Sequence, residues 1–513
     1  MERRTFLKIL SSAGIVSLVS PTFAMEVCKN KVSKSSSALL ESAFRNPPFS
    51  SGVYTWWHWM NGNITKDGIT RDLEAMKANG IAGYQLFEAG SGIPIGPVES
   101  LSDEWVDLIL HTLKESERLG LEFAMHNCPG WSSSGGPWIT PDKAMQIITW
   151  SETKVTGGKQ VRIQLPTPKH MFDYYIDTYC LAIPANMKVI PRLSILELSN
   201  RLDKGGVLTW DVPAGEWLIM RFGQTAKDQK NKSAPSKSTG LDCDKFSTEA
   251  LDYHLNCMFK RLMPAMEKIA KHSKIGLLID SYETGDQDWT SDMPAYFEQS
   301  HGYELYPFLP VLANKIVESE ESTKRFLFDF RRVRADMFAE RYYGHFQKRC
   351  KEKGIITYTE PYGGNMMEEL QVAQQLDINM GEFWCGQTVL WANYKYNRTV
   401  KQVASIAHTL GGKVVGAEAF TSEPDADKWL QYPYALKSLG DYMFTRGLSR
   451  IYFHRFAHQP HPTAAPGMTM GAWGLHFDRT NTWWKPGKAW IEYLNRCQYI
   501  FQSSTFYGDI LYH

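Results

Sequence analysis

The chain of 513 residues lacks the motifs of several common function classes. Its eight cysteines are scattered without a Cys-x-x-Cys pair, which argues against a structural zinc site and a disulfide scaffold, although one or two bridges stay open. No Gly-x-Gly-x-x-Gly follows a predicted strand, which weakens a dinucleotide-binding fold. The formal net charge is only +1, and no basic run suits a nucleic acid. These absences leave a chain that is 43% hydrophobic and can bury a large core.

The N-terminus lacks an apolar run long enough for a confident membrane span, but it has the features of an export signal. Arg3-Arg4 precede a moderately apolar stretch from Ile9 to Val19, and Thr22-Phe23-Ala24 offers a small-residue cleavage site. Together these features are typical of a twin-arginine secretory signal. We therefore interpret residues 1–24 as a signal peptide and 25–46 as a polar leader, and we predict a periplasmic or secreted location without a transmembrane segment.

Short apolar runs alternate with helical patterns along most of the chain. Val53 to Trp59, Ile81 to Glu88 and Leu121 to His126 are predicted strands, separated by predicted helices at Asp67 to Asn79 and Asp103 to Leu119. Five more strands are predicted later, at Ile275 to Glu283, Ile355 to Glu360, Asp377 to Trp384, Val414 to Thr421 and Arg450 to Phe456. This alternation indicates βαβ units, and eight of them make a TIM barrel. An open doubly wound sheet is the alternative.

Residues 141–245 interrupt this alternation. Val161 to Leu165 and Val207 to Val212 alternate in polarity, and Pro213-Ala-Gly215 is a turn signal, so we predict an antiparallel β insertion here. The predicted fold is an α/β class (β/α)8 TIM-type barrel with this insertion after its third strand. The predicted parts are a first barrel segment, the insertion, the remaining barrel and the start of a truncated C-terminal region, at 47–140, 141–245, 246–502 and 503–513.

Acidic residues lie at the ends of four predicted strands. Asp280 and Glu283 close the fourth strand, and Glu360, Glu382 and Glu418 lie at the ends of the next three. The strand ends of a parallel barrel point side chains into the active site. One such acid is better explained as a helix cap or an ion-pair partner, but four in succession indicate a site. Carboxylates that converge from separate strands are the groups a glycosidase uses.

Glu418 can face the fourth strand across the barrel mouth. A glycosidase acid must keep its proton near neutral pH, which requires burial or a neighbouring negative charge to raise its pKa. A second carboxylate must lie across the sugar, as base or as nucleophile. We therefore predict that Glu418 works with the Asp280 and Glu283 pair.

Several separate motifs, in order, resemble glycoside hydrolase family 106, the α-L-rhamnosidases. The motifs are Trp56-Trp-His-Trp-Met-Asn-Gly-Asn-Ile-Thr-Lys66, Gly130-Trp-Ser-Ser-Ser-Gly-Gly-Pro-Trp-Ile-Thr-Pro141, Asp211-Val-Pro-Ala-Gly-Glu-Trp217, Asp280-Ser-Tyr-Glu283 and Gly416-Ala-Glu-Ala-Phe-Thr421. The resemblance runs from about Pro47 to the C-terminus. It implies a (β/α)8 catalytic domain, calcium dependence, and hydrolysis of terminal α-L-rhamnose with inversion. By motif it implies Glu283 as general acid, Glu418 as general base and Asp280 as an assisting acid.

Other residues carry weaker signals. Glu360 and Glu382 are candidate Ca²⁺ ligands, because Ca²⁺ takes oxygen ligands, and structural ion pairing is their alternative role. Candidate sugar-binding residues are the hydrogen-bonding His58, His126 and Asn127 and the stacking Trp57, Trp131 and Trp384. Core packing is the alternative for each of these six. His454 and His458 have a metal-pair spacing, but a strand and loop do not guarantee that they share a site.

Three readings of the function remain open from the sequence. The first is an inverting exo-α-L-rhamnosidase that acts on a polysaccharide or glycoconjugate. The second is a retaining glycosidase of another specificity on the same barrel, which a carboxyl separation of about 5 Å rather than roughly 6.5–9.5 Å would indicate. The third is a truncated, non-catalytic carbohydrate-binding protein, against which the joint presence of Asp280, Glu283 and Glu418 argues.

The C-terminal end of the chain leads to one more expectation. Members of the resembled family usually continue into β-sandwich domains, whereas this chain stops at Asp509-Ile-Leu-Tyr-His513. We therefore expect that the chain either is poorly soluble or associates with a separately encoded C-terminal part.

Overall fold

The structure is a computed structural model that describes residues 34–509, apart from 91, 133, 271, 273, 386–388, 413, 423–427 and 472. The chain divides into two compact units after Pro48. The predicted signal peptide, the leader up to residue 33 and residues 510–513 lie outside the described residues. The first unit contains the helix Lys34–Arg45, in which Arg45 pairs with Glu41 at 2.9 Å.

The second unit is built on a closed barrel of eight parallel strands. Strands β1 to β8 are Tyr54–Met60, Gly83–Ala89, Glu122–His126, Ile275–Ile279, Ile356–Thr359, Ile378–Cys385, Gly416–Ser422 and Arg450–Ala457. Strand β1 pairs with both β2 and β8, and this double pairing closes the sheet. The predicted α/β barrel is therefore confirmed, and the alternative of an open sheet is wrong.

Side chains of β1 alternate between two hydrophobic layers. Tyr54 and Trp56 lie in the cluster that fills the barrel, together with Phe87. Trp57 and Trp59 lie in the larger cluster between the strands and the helices. A strand presents successive side chains to opposite faces, and a barrel strand is buried on both of them. This explains why the strand is apolar without a polar alternation.

Helices follow the barrel strands and cover the outside of the sheet. In the second unit the described α-helices are Lys66–Ala78, Asp103–Leu119, Thr248–Phe259, Met263–Ile269, Met293–His301, Leu309–Leu312, Glu320–Met337, His345–Lys351, Glu369–Ala373, Val389–Thr409, Pro433–Thr445 and Lys488–Ser503. A π-helical turn, Phe338–Gly344, joins two of them. The helix Asp103–Leu119 shows how local sequence sets the bounds. Ser102 Oγ caps it by accepting from the Trp105 N–H at 3.1 Å, and Gly120 ends it at φ +66°.

Between β3 and β4 the chain forms antiparallel strands. Glu216–Ala226 pairs on one side with Gln146–Thr156 and on the other with Ile176–Pro184. Lys159–Gln164 and Val207–Val212 form a second, two-stranded sheet. Residues 141–245 are all described, and the only helical elements among them are short 3₁₀ turns. This segment therefore does not contribute a βα unit to the barrel.

A buried carboxylate, Asp72, joins the first helix of the barrel to the segment after β8. Asp72 is fully buried and accepts hydrogen bonds from the ring Nδ1 of His458 at 2.8 Å, Nε of Arg479 at 2.8 Å and Nε1 of Trp57 at 3.2 Å. The other ring nitrogen of His458 accepts from the backbone N–H of Thr65 at 3.3 Å. Both ring nitrogens of His458 are therefore occupied, so His458 does not share a metal site with His454.

Two general expectations can be compared with the described residues. The seven cysteines described are all unbridged, and Cys28 lies outside the described part of the chain. No described helix is long and apolar enough to span a membrane.

Candidate active site

A pocket of about 650 Å³ opens at the C-terminal ends of the barrel strands. Its lining comes from the strands, from the loops after them and from the segment between β3 and β4. The lining residues are Trp56, His58, Trp131, Lys232, Ser233, Asp280, Ser281, Glu283, Glu382, Trp384, Glu418, Thr421, His454, Met470, Gly471 and Trp473. The pocket therefore lies on the face of the barrel that carries the catalytic groups in (β/α)8 enzymes.

Carboxyl groups from four neighbouring strands meet beneath and around this pocket. Asp280 follows β4, Glu360 follows β5, and Glu382 and Glu418 are paired across β6 and β7 in the parallel register. Burial raises the pKa of Asp280 well above its ordinary value, and the charges of Glu283 and Glu382 add to the increase. Burial also raises the pKa of Glu360, with further contributions from the Asp280 and Glu418 charges. The strands therefore hold these acids close enough to repel one another.

Glu418 is enclosed by the barrel. Its carboxyl accepts a hydrogen bond from the Thr421 hydroxyl, and His454 Nδ1 lies 3.5 Å from its Oε1. Burial, followed by the charge of Glu382, raises the pKa of Glu418 well above its usual range. Burial, followed by the charge of the nearby Arg455, lowers the pKa of His454 well below its usual range.

Glu283 has different surroundings from Glu418. Its side chain is 40% exposed, and its Oε2 accepts from the Lys232 ammonium at 2.9 Å and from the Trp131 indole N–H at 3.0 Å. Lysine and indole nitrogens donate only, so Glu283 acts as an acceptor in both contacts. One acid of the pocket is therefore enclosed, and the other faces a cation at the mouth.

Polar atoms at the pocket floor have no hydrogen-bond partner among the described residues. They include both ring nitrogens of His58 and the Nδ1 of His454. Oδ1 of Asp280 and Oε1 of Glu360 also accept no hydrogen bond from a described donor, although the two carboxyl groups lie near each other. Buried polar groups are normally paired, so these atoms are suited to a bound ligand rich in hydroxyl groups.

Seven of the residues predicted for the site lie in this pocket: His58, Trp131, Asp280, Glu283, Glu382, Trp384 and Glu418. Four others lie elsewhere. Trp57 points to the helix layer, where its indole N–H binds Asp72, and the neighbouring Trp56 takes the place in the pocket. Because neighbours on a strand face opposite sides, Trp57 and His58 cannot both enter the pocket. Glu360 lies beneath the lining and accepts from the Tyr362 hydroxyl.

His126 and Asn127 are buried behind the pocket. The ring of His126 stacks on Phe87 at 5.1 Å, and its Nδ1 lies 2.8 Å from the Cys128 carbonyl oxygen. The Asn127 amide donates to the Leu278 carbonyl at 2.9 Å, and its oxygen accepts from Ser134 at 2.6 Å. Asn127 therefore ties the end of β3 to β4, and its contacts are structural.

Nine of the described lining residues are not among the predicted site residues, and five of these nine have large side chains: Trp56, Lys232, His454, Met470 and Trp473. Trp56 could have been found by strand alternation, since it lies two residues before His58 on the same face. His454 was noted only for its spacing to His458. No local signal marks Lys232, Met470 or Trp473, because long loops bring them to the pocket.

A closed parallel barrel whose strand ends carry a cluster of acids around a deep pocket has the architecture of a glycoside hydrolase. The family model described as alpha-L-rhamnosidase matches residues 45–178 and 169–513. The chain therefore belongs to glycoside hydrolase family 106, the alpha-L-rhamnosidase family. The resemblance seen in the sequence motifs is confirmed.

Two known proteins show how far the similarity extends. A protein of Formosa agariphila, whose name gives a beta-glucuronidase activity as a proposal, is 41% identical over 503 residues, covering 92% of this chain and 42% of the relative. The structure of a rhamnosidase from Novosphingobium sp. PP1Y superposes with a TM-score of 0.83 at 24% identity, covering 90% of this chain and 60% of that one. The second similarity shows a shared fold. The chain spans about two fifths and three fifths of the lengths of these two proteins.

Proposed function

We propose that this protein is an exo-acting glycoside hydrolase that removes terminal α-L-rhamnose from a polysaccharide or glycoconjugate with inversion. The observation that carries the proposal is the convergence on one pocket of Glu283, from the loop after β4, and Glu418, from within β7. Membership of the alpha-L-rhamnosidase family supports the choice of sugar. In an inverting reaction one carboxyl group protonates the leaving oxygen, and the other activates a water molecule on the opposite face of the sugar.

The family resemblance assigns Glu283 as acid and Glu418 as base, with Asp280 assisting. The surroundings in the free protein favour the exchanged roles, because Glu418 is enclosed among acids whereas Glu283 contacts the Lys232 ammonium. We keep the assignment by resemblance as the proposal. The rates of the two Gln variants on substrates with good and poor leaving groups distinguish the two assignments.

The pocket favours a neutral sugar over a uronic acid. Among the described residues, its lining contains Asp280, Glu283, Glu382 and Glu418 but only one lysine or arginine, Lys232, which already pairs with Glu283. A sugar carboxylate would have to enter among like charges, which is unfavourable at short range. The lining therefore argues against a glucuronidase activity of this chain, the activity given in the name of the Formosa relative.

We expect hydrolysis of an aryl α-L-rhamnoside, with kcat/KM at least about tenfold above that for the matching aryl β-D-glucuronide. Proton NMR of the first-formed sugar should show the inverted anomer. The retained anomer would contradict inversion, and a preference for the glucuronide would contradict the proposed substrate. Hydrolysis of neither substrate, with the protein folded, would favour a non-catalytic carbohydrate-binding protein.

We propose that Ca²⁺ binds beside the sugar, held by Glu360 and Glu382. The donors are oxygens in a cluster of buried acids, and Oε1 of Glu360 accepts no described hydrogen bond, which fits a hard cation. No group of three His, Cys, Asp or Glu side chains among the described residues is arranged as a complete metal site, so carbonyl oxygens or water would complete the shell. When bound, the ion would neutralise the clustered carboxylates and attract sugar hydroxyls.

Removing divalent cations with a chelator should therefore lower activity, and added Ca²⁺ should restore it. Ca²⁺ should also raise the melting temperature of the chelator-treated protein, because a ligand of the folded state stabilises it. The Glu360→Gln variant should lose most of this thermal shift. Full activity of metal-free protein, or an unchanged melting temperature with Ca²⁺, would contradict the proposal.

Two further proposals concern the remaining parts of the chain. We propose that residues 141–245 form an inserted β unit that completes the pocket, because Lys232 and Ser233 contribute to its lining.

We also propose export through the twin-arginine signal at residues 1–24. Cell fractionation should find the protein outside the cytoplasm, and replacing Arg3 and Arg4 by Lys should retain it inside. An unchanged distribution of that variant would contradict a twin-arginine signal.

A further inference from the structure

An exposed aromatic segment lies on the loop that follows β7 and at the start of the next helix. Trp429 is 59% exposed, Tyr432 50% and Tyr434 82%. Loops after the strands of a (β/α)8 barrel lie on the catalytic face, so these rings lie on the same face as the pocket. Large apolar side chains exposed together are typical of a binding surface.

Contacts with the loop after β8 connect this segment to the pocket. The ring of Trp429 lies 5.1 Å from the ring of His476. The indole N–H of Trp483 donates to the carbonyl of Gln431 at 3.1 Å. Slightly upstream in the same loop, Trp473 lines the pocket and packs edge-on against Trp384 at 5.8 Å. The loop after β8 therefore contributes Trp473 to the pocket wall and contacts Trp429 through His476.

We propose that Trp473, Trp429, Tyr432 and Tyr434, here named the aromatic rim, bind the sugars on the leaving-group side of the bond that is cut. The inference rests on the proposed glycosidase function and identifies where the rest of the glycan lies. A pocket for one terminal sugar forces the remaining chain out through the mouth, where the rim begins. Aromatic rings offer flat apolar faces for the C–H faces of sugars, and the tyrosine hydroxyls and indole N–H groups add hydrogen bonds.

The rim can be tested with two substrates that differ only on the leaving-group side. They are methyl α-L-rhamnoside and a trisaccharide that ends in α-L-rhamnose. Trp429→Ala should lower kcat/KM for the trisaccharide about fivefold or more, mainly through KM, and should affect the methyl rhamnoside far less. Trp429→Phe should recover most of the loss. Tyr442→Ala is the matched control, because Tyr442 is 46% exposed but lies near the C-terminal end of the helix Pro433–Thr445, whereas Tyr434 lies in its first turn.

Three results would overturn the proposal. One is an equal loss on both substrates, which would indicate a structural role for Trp429. Another is an unchanged trisaccharide KM in Trp429→Ala. The third is that Trp429→Ala loses self-association, measured by light scattering, but hydrolyses the trisaccharide with unchanged kinetics. That result would make the rim a protein interface.

Failure of the proposed function gives a different result, in which neither substrate is hydrolysed by the unmodified protein. The rim is then tested by calorimetric titration of the trisaccharide. Weaker binding to Trp429→Ala than to the unmodified protein and Tyr442→Ala supports the rim. Equal binding to all three, or binding to none, overturns it.

Discussion

Glu283→Gln and Glu418→Gln should each lower kcat for a rhamnoside with a poor leaving group by about 10²–10⁴-fold, the usual contribution of a general acid or base. Each substitution keeps the shape of the side chain and removes its ability to transfer a proton. Circular dichroism and the melting temperature should show a folded protein. Glu104→Gln is the control, because Glu104 is exposed on the second barrel helix and should retain full activity.

The leaving group decides which residue is the acid. A dinitrophenyl rhamnoside needs no protonation of the departing oxygen, so the acid variant should recover most of its rate on it, whereas the base variant should stay slow. Recovery by Glu283→Gln would support the roles assigned by family resemblance. Recovery by Glu418→Gln would instead exchange the two roles. A variant that keeps more than about a tenth of the unmodified rate on the poor leaving group has no place in the mechanism.

Asp72→Asn should strongly destabilise the barrel, by about 3–5 kcal/mol. The substitution removes the negative charge that pairs with Arg479 at 2.8 Å, and it replaces an acceptor of His458 and Trp57 with an amide that must also donate. Because these contacts join the helix after β1 to the segment after β8, the loss weakens the closure of the barrel. The measurement is the shift of the urea or thermal unfolding midpoint.

Asp67→Asn on the same helix is the matched control. Asp67 also forms an ion pair, with Arg71 at 2.7 Å, but the two side chains are 58% and 50% exposed. Exposed pairs of this kind contribute about 0–1 kcal/mol, so its unfolding midpoint should change little. Equal shifts for the two variants would contradict the role assigned to Asp72.

Much of the barrel could be predicted because its elements are specified by local patterns. The helix Asp103–Leu119 begins after a capping serine and ends at a glycine, and its predicted bounds agree with the structure. The eight predicted strands all occur in the barrel, with bounds that differ by a few residues, because strand ends depend on pairing partners. The acids could be predicted for the same reason, because each of them lies on or just after a predicted strand and is therefore marked by its position in the sequence.

The membership of the pocket was less predictable, because it depends on which side chains distant segments bring together. The period of two within β1 distinguishes Trp56 from Trp57, because Trp56 shares a face of the strand with His58 and Trp57 does not. The burial of Glu360 beneath the lining depends on Tyr362 and the neighbouring strands, which local sequence does not report.

The sequence by itself determined the order of strands and helices, the family and the acids on or just after β4 to β7. Hydrophobic periodicity, capping residues and motif order are properties of neighbouring residues, so they can be read along the chain. Only the tertiary structure decided that Lys232 meets Glu283, that Trp473 joins the pocket wall, and that Glu418 is enclosed while Glu283 is exposed. These relations arise because the closed sheet brings residues that are distant in sequence together at the mouth of the barrel. Burial and neighbouring charges there determine the protonation and the contacts of each side chain.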